Sequence, residues 1–122
     1  MKAARIRISD EATQKLKFLY GKTGLTPNLL LRVGFCISLR EPEPLNPAAY
    51  PEDGQELNRY TLTGEYDGGY LLLLREWMIR HGLTLDNESL VSFFRAHLNR
   101  GAMLVARRTK SAADMVMLAR AR

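Results

Sequence analysis

The sequence predicts a mainly α, compact helical domain with a short N-terminal strand, on three observations. Beyond residue 10 the apolar residues recur at spacings of three and four, the period of an amphipathic helix. Capping residues and stop glycines punctuate those runs at helix-like lengths. Only residues 3–8 alternate in the period of two that marks a half-buried strand. At 122 residues and 46% hydrophobic, the chain is read as one domain, 1–122. Within it, 1–40 is a basic strand-helix-helix segment, 41–64 an acidic proline-rich loop, and 65–122 a helical remainder with a basic tail.

The elements follow in order. In Ala3-Ala4-Arg5-Ile6-Arg7-Ile8, Ile6 and Ile8 face inward and Arg5 and Arg7 outward. Ser9 or Asp10 then offers an N-cap, and Ala12, Leu16, Leu19, Tyr20 and Thr23 share one face of a helix that ends between Gly21 and Gly24. Thr26 followed by Pro27 supplies a cap and a first-turn proline for a second helix, Asn28 to about Leu39. That helix is apolar on most sides, so it calls for burial, against its own chain or another copy. Four of the five prolines crowd into Pro42 to Pro51, where fixed φ angles and missing N–H groups predict a long loop. A short turn or helix precedes Gly64, and Gly68-Gly69 opens a helical run from Tyr70 to His81. Its apolar face is Leu71, Leu74, Trp77 or Met78, and Ile79, with Gly82 as the stop. Asp86 or Asn87 caps a further helix with the stripe Leu90, Phe94, His97 and Leu98, which Gly101 is expected to end. Ser111 to Arg122 reads as a last helix or tail.

The net charge of +5 is unevenly spread. Residues 1–40 carry eight Lys or Arg against two acids, residues 41–82 three against eight, and residues 83–122 seven against three. A polyanion is therefore drawn mainly to the N-terminal third. The N-terminus has basic residues where a secretory signal needs an apolar run, and no apolar stretch approaches the ~20 residues of a membrane span. One cysteine, Cys36 between Phe35 and Ile37, reads as a buried thiol in a reducing compartment. The expectation is a cytoplasmic protein with no membrane partner.

Catalytic chemistry is not expected. His81 and His97 stand on different helices without metal-ligand spacing; His81 before a glycine fits a capping role, and His97 among apolar neighbours fits a satisfied, partly buried ring. The carboxylates Glu41, Glu43, Glu52, Asp53 and Glu56 cluster in a loop that holds acid and base groups poorly. The glycines lack a phosphate-loop spacing. No metal, cofactor or nucleophile is assigned.

Two arrangements point to DNA. Arg5 and Arg7 share the outward face of the strand, and two copies paired as an antiparallel ribbon present four guanidiniums to a major groove. Strand, helix, helix is also the order of ribbon-helix-helix proteins; an edge strand made basic to block aggregation is the competing reading. The second arrangement is Lys15, Lys17 and Lys22, with Lys15 and Lys22 nearly one above the other and Lys17 across the polar side of the first helix. Such lysines contact phosphates as mobile point charges without reading bases. A solvated helix face is the alternative. Lys2 joins the basic set.

The stretch Ile8-Ser9 through Lys15-Leu16-Lys17, followed by Thr23-Gly24-Leu25-Thr26-Pro27-Asn28-Leu29-Leu30-Leu31-Arg32, resembles the DndE family of DNA sulfur modification proteins, as does Phe94-Arg95-Ala96-His97-Leu98-Asn99-Arg100-Gly101. The resemblance covers nearly the whole chain; Arg120-Ala121-Arg122 matches no part of the pattern. It implies a non-catalytic subunit of the phosphorothioation machinery that replaces a non-bridging phosphate oxygen of DNA with sulfur. It further implies binding of double-stranded DNA, preferably nicked, as a homo-oligomer with a tetramer favoured, while other subunits carry the sulfur chemistry. On this resemblance Lys15, Lys17 and Lys22 contact phosphate, and Gly21 and Gly24 permit close approach of subunits. Either glycine can equally serve to supply a positive φ. Two other functions remain open: a ribbon-helix-helix transcriptional repressor reading bases with Arg5 and Arg7, and a protein-protein adaptor using the acidic loop.

Overall fold

The computed structural model describes residues 1–109. A three-residue strand β1 (Arg5–Arg7) leads into helix α1 (Asp10–Thr23) and then α2 (Pro27–Arg40). A 3-10 turn (Pro47–Ala49), strand β2 (Glu56–Asn58), the short helix α3 (Arg59–Thr63) and a second 3-10 turn (Gly64–Tyr66) lead to α4 (Asp67–Arg80) and the long α5 (Asn87–Arg108). The chain is mainly helical with one small antiparallel sheet, as the periodicity predicts.

Local chemistry explains the boundaries. Ser9 caps α1 by accepting from the Ala12 N–H at 3.1 Å, and Gly24, at φ +73, ends it in the left-handed region that a Cβ disfavours. Thr26 caps α2 with Pro27 at its first turn, and Asp86 caps α5 through the Ser89 N–H at 2.8 Å. Gly82, at φ +68, follows α4 as the stop.

The core lies where α2 packs against α5, with α1 laid over the pair. Leu30, Leu31, Phe35, Phe94, Leu98 and Leu104 fill it, and burying side chains of this size contributes roughly 1.5–3 kcal/mol each. The apolar α2 is therefore covered by its own chain, and its burial supplies no separate motive for assembly. At the crossing, Gly34 of α2 meets Gly101 of α5 backbone to backbone: a Cβ on Gly34 would lie 2.7 Å from the Gly101 carbonyl carbon.

Several expectations change. Gly101 does not end α5; it lets α2 approach, and the helix runs on to Arg108. The segment expected to be a long loop contains the Pro47–Ala49 turn and β2 ahead of α3, the short helix expected before Gly64, because buried arginines tie it down. Arg95 donates to the carbonyls of Tyr50 and Pro47, Arg100 to that of Glu43, and Arg59 to those of Met1 and Ala3. The α4 helix starts three residues before Tyr70, and Ile79 faces solvent, leaving Leu74, Trp77 and Met78 as its buried face. Tyr20 is likewise exposed. The segment Ser111 to Arg122, read as a helix or tail, lies outside the described residues. No helix among those described is long and apolar enough to cross a membrane.

Candidate nucleic-acid interface

Helix α1 buries Ala12, Thr13, Leu16 and Leu19 and turns its other side to solvent. At 100° per residue, Lys15, Phe18 and Lys22 fall within about 60° of one another on one flank. Lys17 lies about 160° from Lys15 by the same count, with Tyr20 about 60° to one side of it and Gly21 about 40° to the other. All three lysines are exposed, and none enters an ion pair among the described residues. The Lys22 ammonium stands 5.1 Å from the centre of the Phe18 ring.

The arginines on the N-terminal sheet are engaged differently. β1 pairs with β2 of its own chain, Arg5 opposite Asn58 and Arg7 opposite Glu56, where the sequence reading expects pairing with a second copy. Glu56 sits between the two guanidiniums, 3.1 Å from Arg5 Nη1 and 3.5 Å from Arg7 Nη2, while Arg7 also donates to the Gly54 carbonyl at 2.8 Å. One carboxylate thus neutralises half of the charge that the strand presents. Lys2 stands apart from α1. Its backbone N–H donates to Asn87 at the start of α5, whereas α1 begins beside Asn99, where the Ser9 N–H donates to the side-chain oxygen at 2.8 Å. From Asn87 to Asn99 is about 18 Å of helix at 1.5 Å per residue.

Beside Lys15 the surface changes sign. A groove of about 770 Å³ between α1, the Pro47–Ala49 turn and α5 is lined by Asp10, Glu11 and Asp53 together with Phe18, Tyr50 and Met103. Burial raises the Tyr50 hydroxyl pKa, with Arg100 opposing and Glu11 adding to the shift. Polyanions are favoured on the C-terminal half of α1 and repelled from this groove.

The two glycines differ. Gly24 has the positive φ of a helix stop, so its conformation alone explains it. Gly21 lies within α1 with ordinary helical φ and nothing within 4 Å of where a Cβ would be. A mid-helix glycine costs roughly 0.5–1 kcal/mol relative to alanine, and no contact in this chain requires it.

A histidine-serine contact lies in the core. Ser38 Oγ accepts from Arg100 Nε at 2.8 Å and is hydrogen-bonded to His97 Nδ1, also 2.8 Å away. Both Ser38 and His97 are fully buried, beyond the reach of a substrate. Burial first, then the Arg100 and His81 charges, lower the His97 pKa to about 3. Its ring stands edge-on to Trp77 at 4.3 Å. His81 caps α4, with Nδ1 donating to the Trp77 carbonyl at 2.8 Å. No group of three or more His, Cys, Asp and Glu suited to a metal occurs among the described residues.

Sequence reading passed over Arg59, Arg95 and Arg100 as structural ties and Gly34 as a crossing point. The available signals were arginines set into the apolar stripe of α5 and a glycine inside an apolar helical run.

The family model described as DNA sulphur modification protein DndE matches residues 5–113. Among solved structures, the chain is similar to the crystal structure of DndE from Escherichia coli B7A, a protein involved in DNA phosphorothioation modification. The two are 28% identical with a TM-score of 0.71, over 89% of this chain and 100% of that one. A DndE variant with two glycines replaced by lysine shares the fold, at 24% identity and a TM-score of 0.68 over 86% of this chain and 99% of that one. No curated protein matches the chain.

Proposed function

The chain belongs to the DndE family of DNA sulphur modification proteins, and from that premise we propose that it is the non-catalytic, cytoplasmic DNA-binding subunit of a phosphorothioation machinery. It grips duplex DNA by the backbone phosphates, prefers nicked duplex, and works as a homo-oligomer, a tetramer, alongside the subunits that carry the sulfur chemistry. The observation that carries this reading is the state of the basic residues on α1. Lys15, Lys17 and Lys22 are exposed and in no ion pair among the described residues, whereas Arg5 and Arg7 share Glu56 and Arg59, Arg95 and Arg100 hold the loops. Free lysines neutralise phosphates and release counterions without reading bases. The pairing of β1 within its own chain favours this over a base-reading ribbon, and the stitching of the acidic segment to α5 favours it over an adaptor. Arg5, Arg7 and Lys2 are secondary contacts.

Assembly places Gly21 against a neighbouring subunit. Its open surroundings, with exposed Tyr20 next to it in the chain and Leu29 at 45% exposure near the start of α2, suit an approach that a side chain would block. Gly24 contributes by stopping α1 tightly. A preference for nicks follows from the lower elastic cost of bending an interrupted duplex across several basic helices.

The test is a salt-series titration of wild type and the Lys15→Ala/Lys17→Ala/Lys22→Ala variant on nicked and intact duplexes, with circular dichroism as the fold control. Each lost phosphate contact lowers the log-affinity versus log-salt slope by roughly 0.9. Three lost contacts make it shallower by roughly 2 to 3 units on every sequence. An unchanged slope in the folded variant would overturn the assignment of α1 as the binding face.

A further inference from the structure

We propose that Phe18 is a stacking platform for an unstacked base, placed to receive the base while Lys15 and Lys22 hold the phosphates on either side of it. The proposal rests on the reading of α1 as the DNA-binding face and adds a ligand group that the lysines cannot recognise.

Phe18 is out of place by the logic of folding. The other apolar residues of α1, apart from Tyr20 on the opposite flank, are buried at 0–1%, while Phe18 leaves 59% of its surface in water on a helix whose core face is already complete. Its neighbours along the helix surface are Lys15, three residues before, and Lys22, four residues after, so the ring is flanked by cations above and below. The Lys22 ammonium, 5.1 Å from the ring centre, holds a charge over the aromatic face. An aromatic ring interleaved with lysines is the arrangement that binds single-stranded or interrupted nucleic acid: the cations follow the backbone, and the ring takes a base face whatever the base. Charge complementarity selects the occupant. An apolar partner surface gains nothing from two ammonium groups that are in no ion pair among the described residues, whereas a phosphate-base-phosphate unit engages all three side chains. Phe18 and Lys15 themselves line the edge of the acidic groove that holds Asp10, Glu11 and Asp53, and those carboxylates repel phosphate on that side, so the strand runs toward Lys22.

In an intact duplex every base face is covered by its neighbours, and Phe18 has nothing to stack on. At a strand break, an end or a single-stranded stretch a face is free. The platform therefore discriminates by base exposure, a mechanism separate from duplex bending.

The experiment compares wild type, Phe18→Leu, Phe18→Ala and Phe18→Trp on four probes: a covalently closed circular duplex, the same circle with one nick, the nicked circle carrying 2-aminopurine beside the break, and a twelve-nucleotide single strand. Phe18→Leu keeps an apolar side chain for any protein contact but has no ring. The expected result for Phe18→Leu and Phe18→Ala is a roughly 5- to 150-fold loss of affinity for nicked and single-stranded probes, the range for removing a base-stacking aromatic. Intact duplex binding stays within about twofold, and Phe18→Trp retains the preference. Wild type and Phe18→Trp change the 2-aminopurine emission on binding, and Phe18→Leu does not. Equal affinities of wild type and Phe18→Leu for the nicked probe would overturn the platform while leaving the lysine reading intact. A change of sedimentation coefficient in Phe18→Ala, with the nicked-to-intact ratio unchanged, would overturn it in favour of a second copy covering the ring. Failure of the wild type to bind any of the four probes would overturn the DNA-binding reading itself, and the platform with it.

Discussion

Replacing Gly34 with alanine adds one methyl group at the tightest point of the structure. The new Cβ would sit 2.7 Å from the Gly101 carbonyl carbon and 2.8 Å from its oxygen. Ordinary carbon contact is about 3.5 Å, so α2 and α5 must separate by about 0.8 Å. The obstructing atoms are backbone and cannot rotate aside. A gap of that size forfeits roughly a quarter to a half of each dispersion contact across the interface, and the side chains that lose them include Leu31, Phe35, Phe94 and Leu98. Overpacking of this kind costs about 1–3 kcal/mol, here at the upper end. Alanine's better helix propensity returns about 1 kcal/mol. The net expectation for Gly34→Ala is a loss of about 2 kcal/mol, which lowers the urea midpoint by about 1 M for an m-value of about 2 kcal/mol/M. Trp77, the chain's single tryptophan and nearly fully buried, reports unfolding by its fluorescence. Gly69→Ala, within α4 and with nothing within 4 Å of the new Cβ, is the matched control: it should gain roughly 0.5–1 kcal/mol and move the midpoint up. A Gly34→Ala midpoint at or above that of wild type would refute the reasoning, since the propensity gain would then exceed the clash.

Two other outcomes are expected. Burial holds the folded His97 pKa at about 3, against about 6.5 when unfolded, so the unfolded chain binds a proton that the native chain refuses. The resulting stability is present above pH 6.5 and lost as pH falls toward 3: about 2 kcal/mol disappears between pH 7 and pH 5. Urea midpoints across that range should show this slope in wild type and lack it in His97→Leu; equal slopes would place the acid sensitivity elsewhere. Glu56→Gln removes the carboxylate shared by Arg5 and Arg7. Both ion pairs are solvent-exposed, so stability should change by less than about 1 kcal/mol. The freed guanidiniums should strengthen duplex binding and steepen its salt slope by roughly 0.9 for each new phosphate contact. An unaltered slope would show that the sheet faces away from DNA.

Residues adjacent in sequence determined much of this protein. Ser9, Thr26 and Asp86 cap helices with side chains that reach only three residues along the chain, and Gly24 and Gly82 stop helices by their own φ, so these boundaries were legible without a fold. The lysine flank of α1 was legible for the same reason, because helical periodicity alone places Lys15 and Lys22 together. Contacts between residues far apart in sequence were decided by tertiary structure. Gly101 has the local appearance of a stop, and only the arrival of Gly34 shows that it is a crossing. The proline-rich segment reads as loop because its ties come from Arg95 and Arg100, about fifty residues away. Arg5 and Arg7 read as free charge until β2 brings Glu56 between them. The exposure of Phe18, too, emerges only once Leu16 and Leu19 have filled the core face and left the ring at the surface beside Lys22. Short-range chemistry is written into the order of the residues, whereas cavity space, charge pairing and leftover surface exist only after the helices have packed.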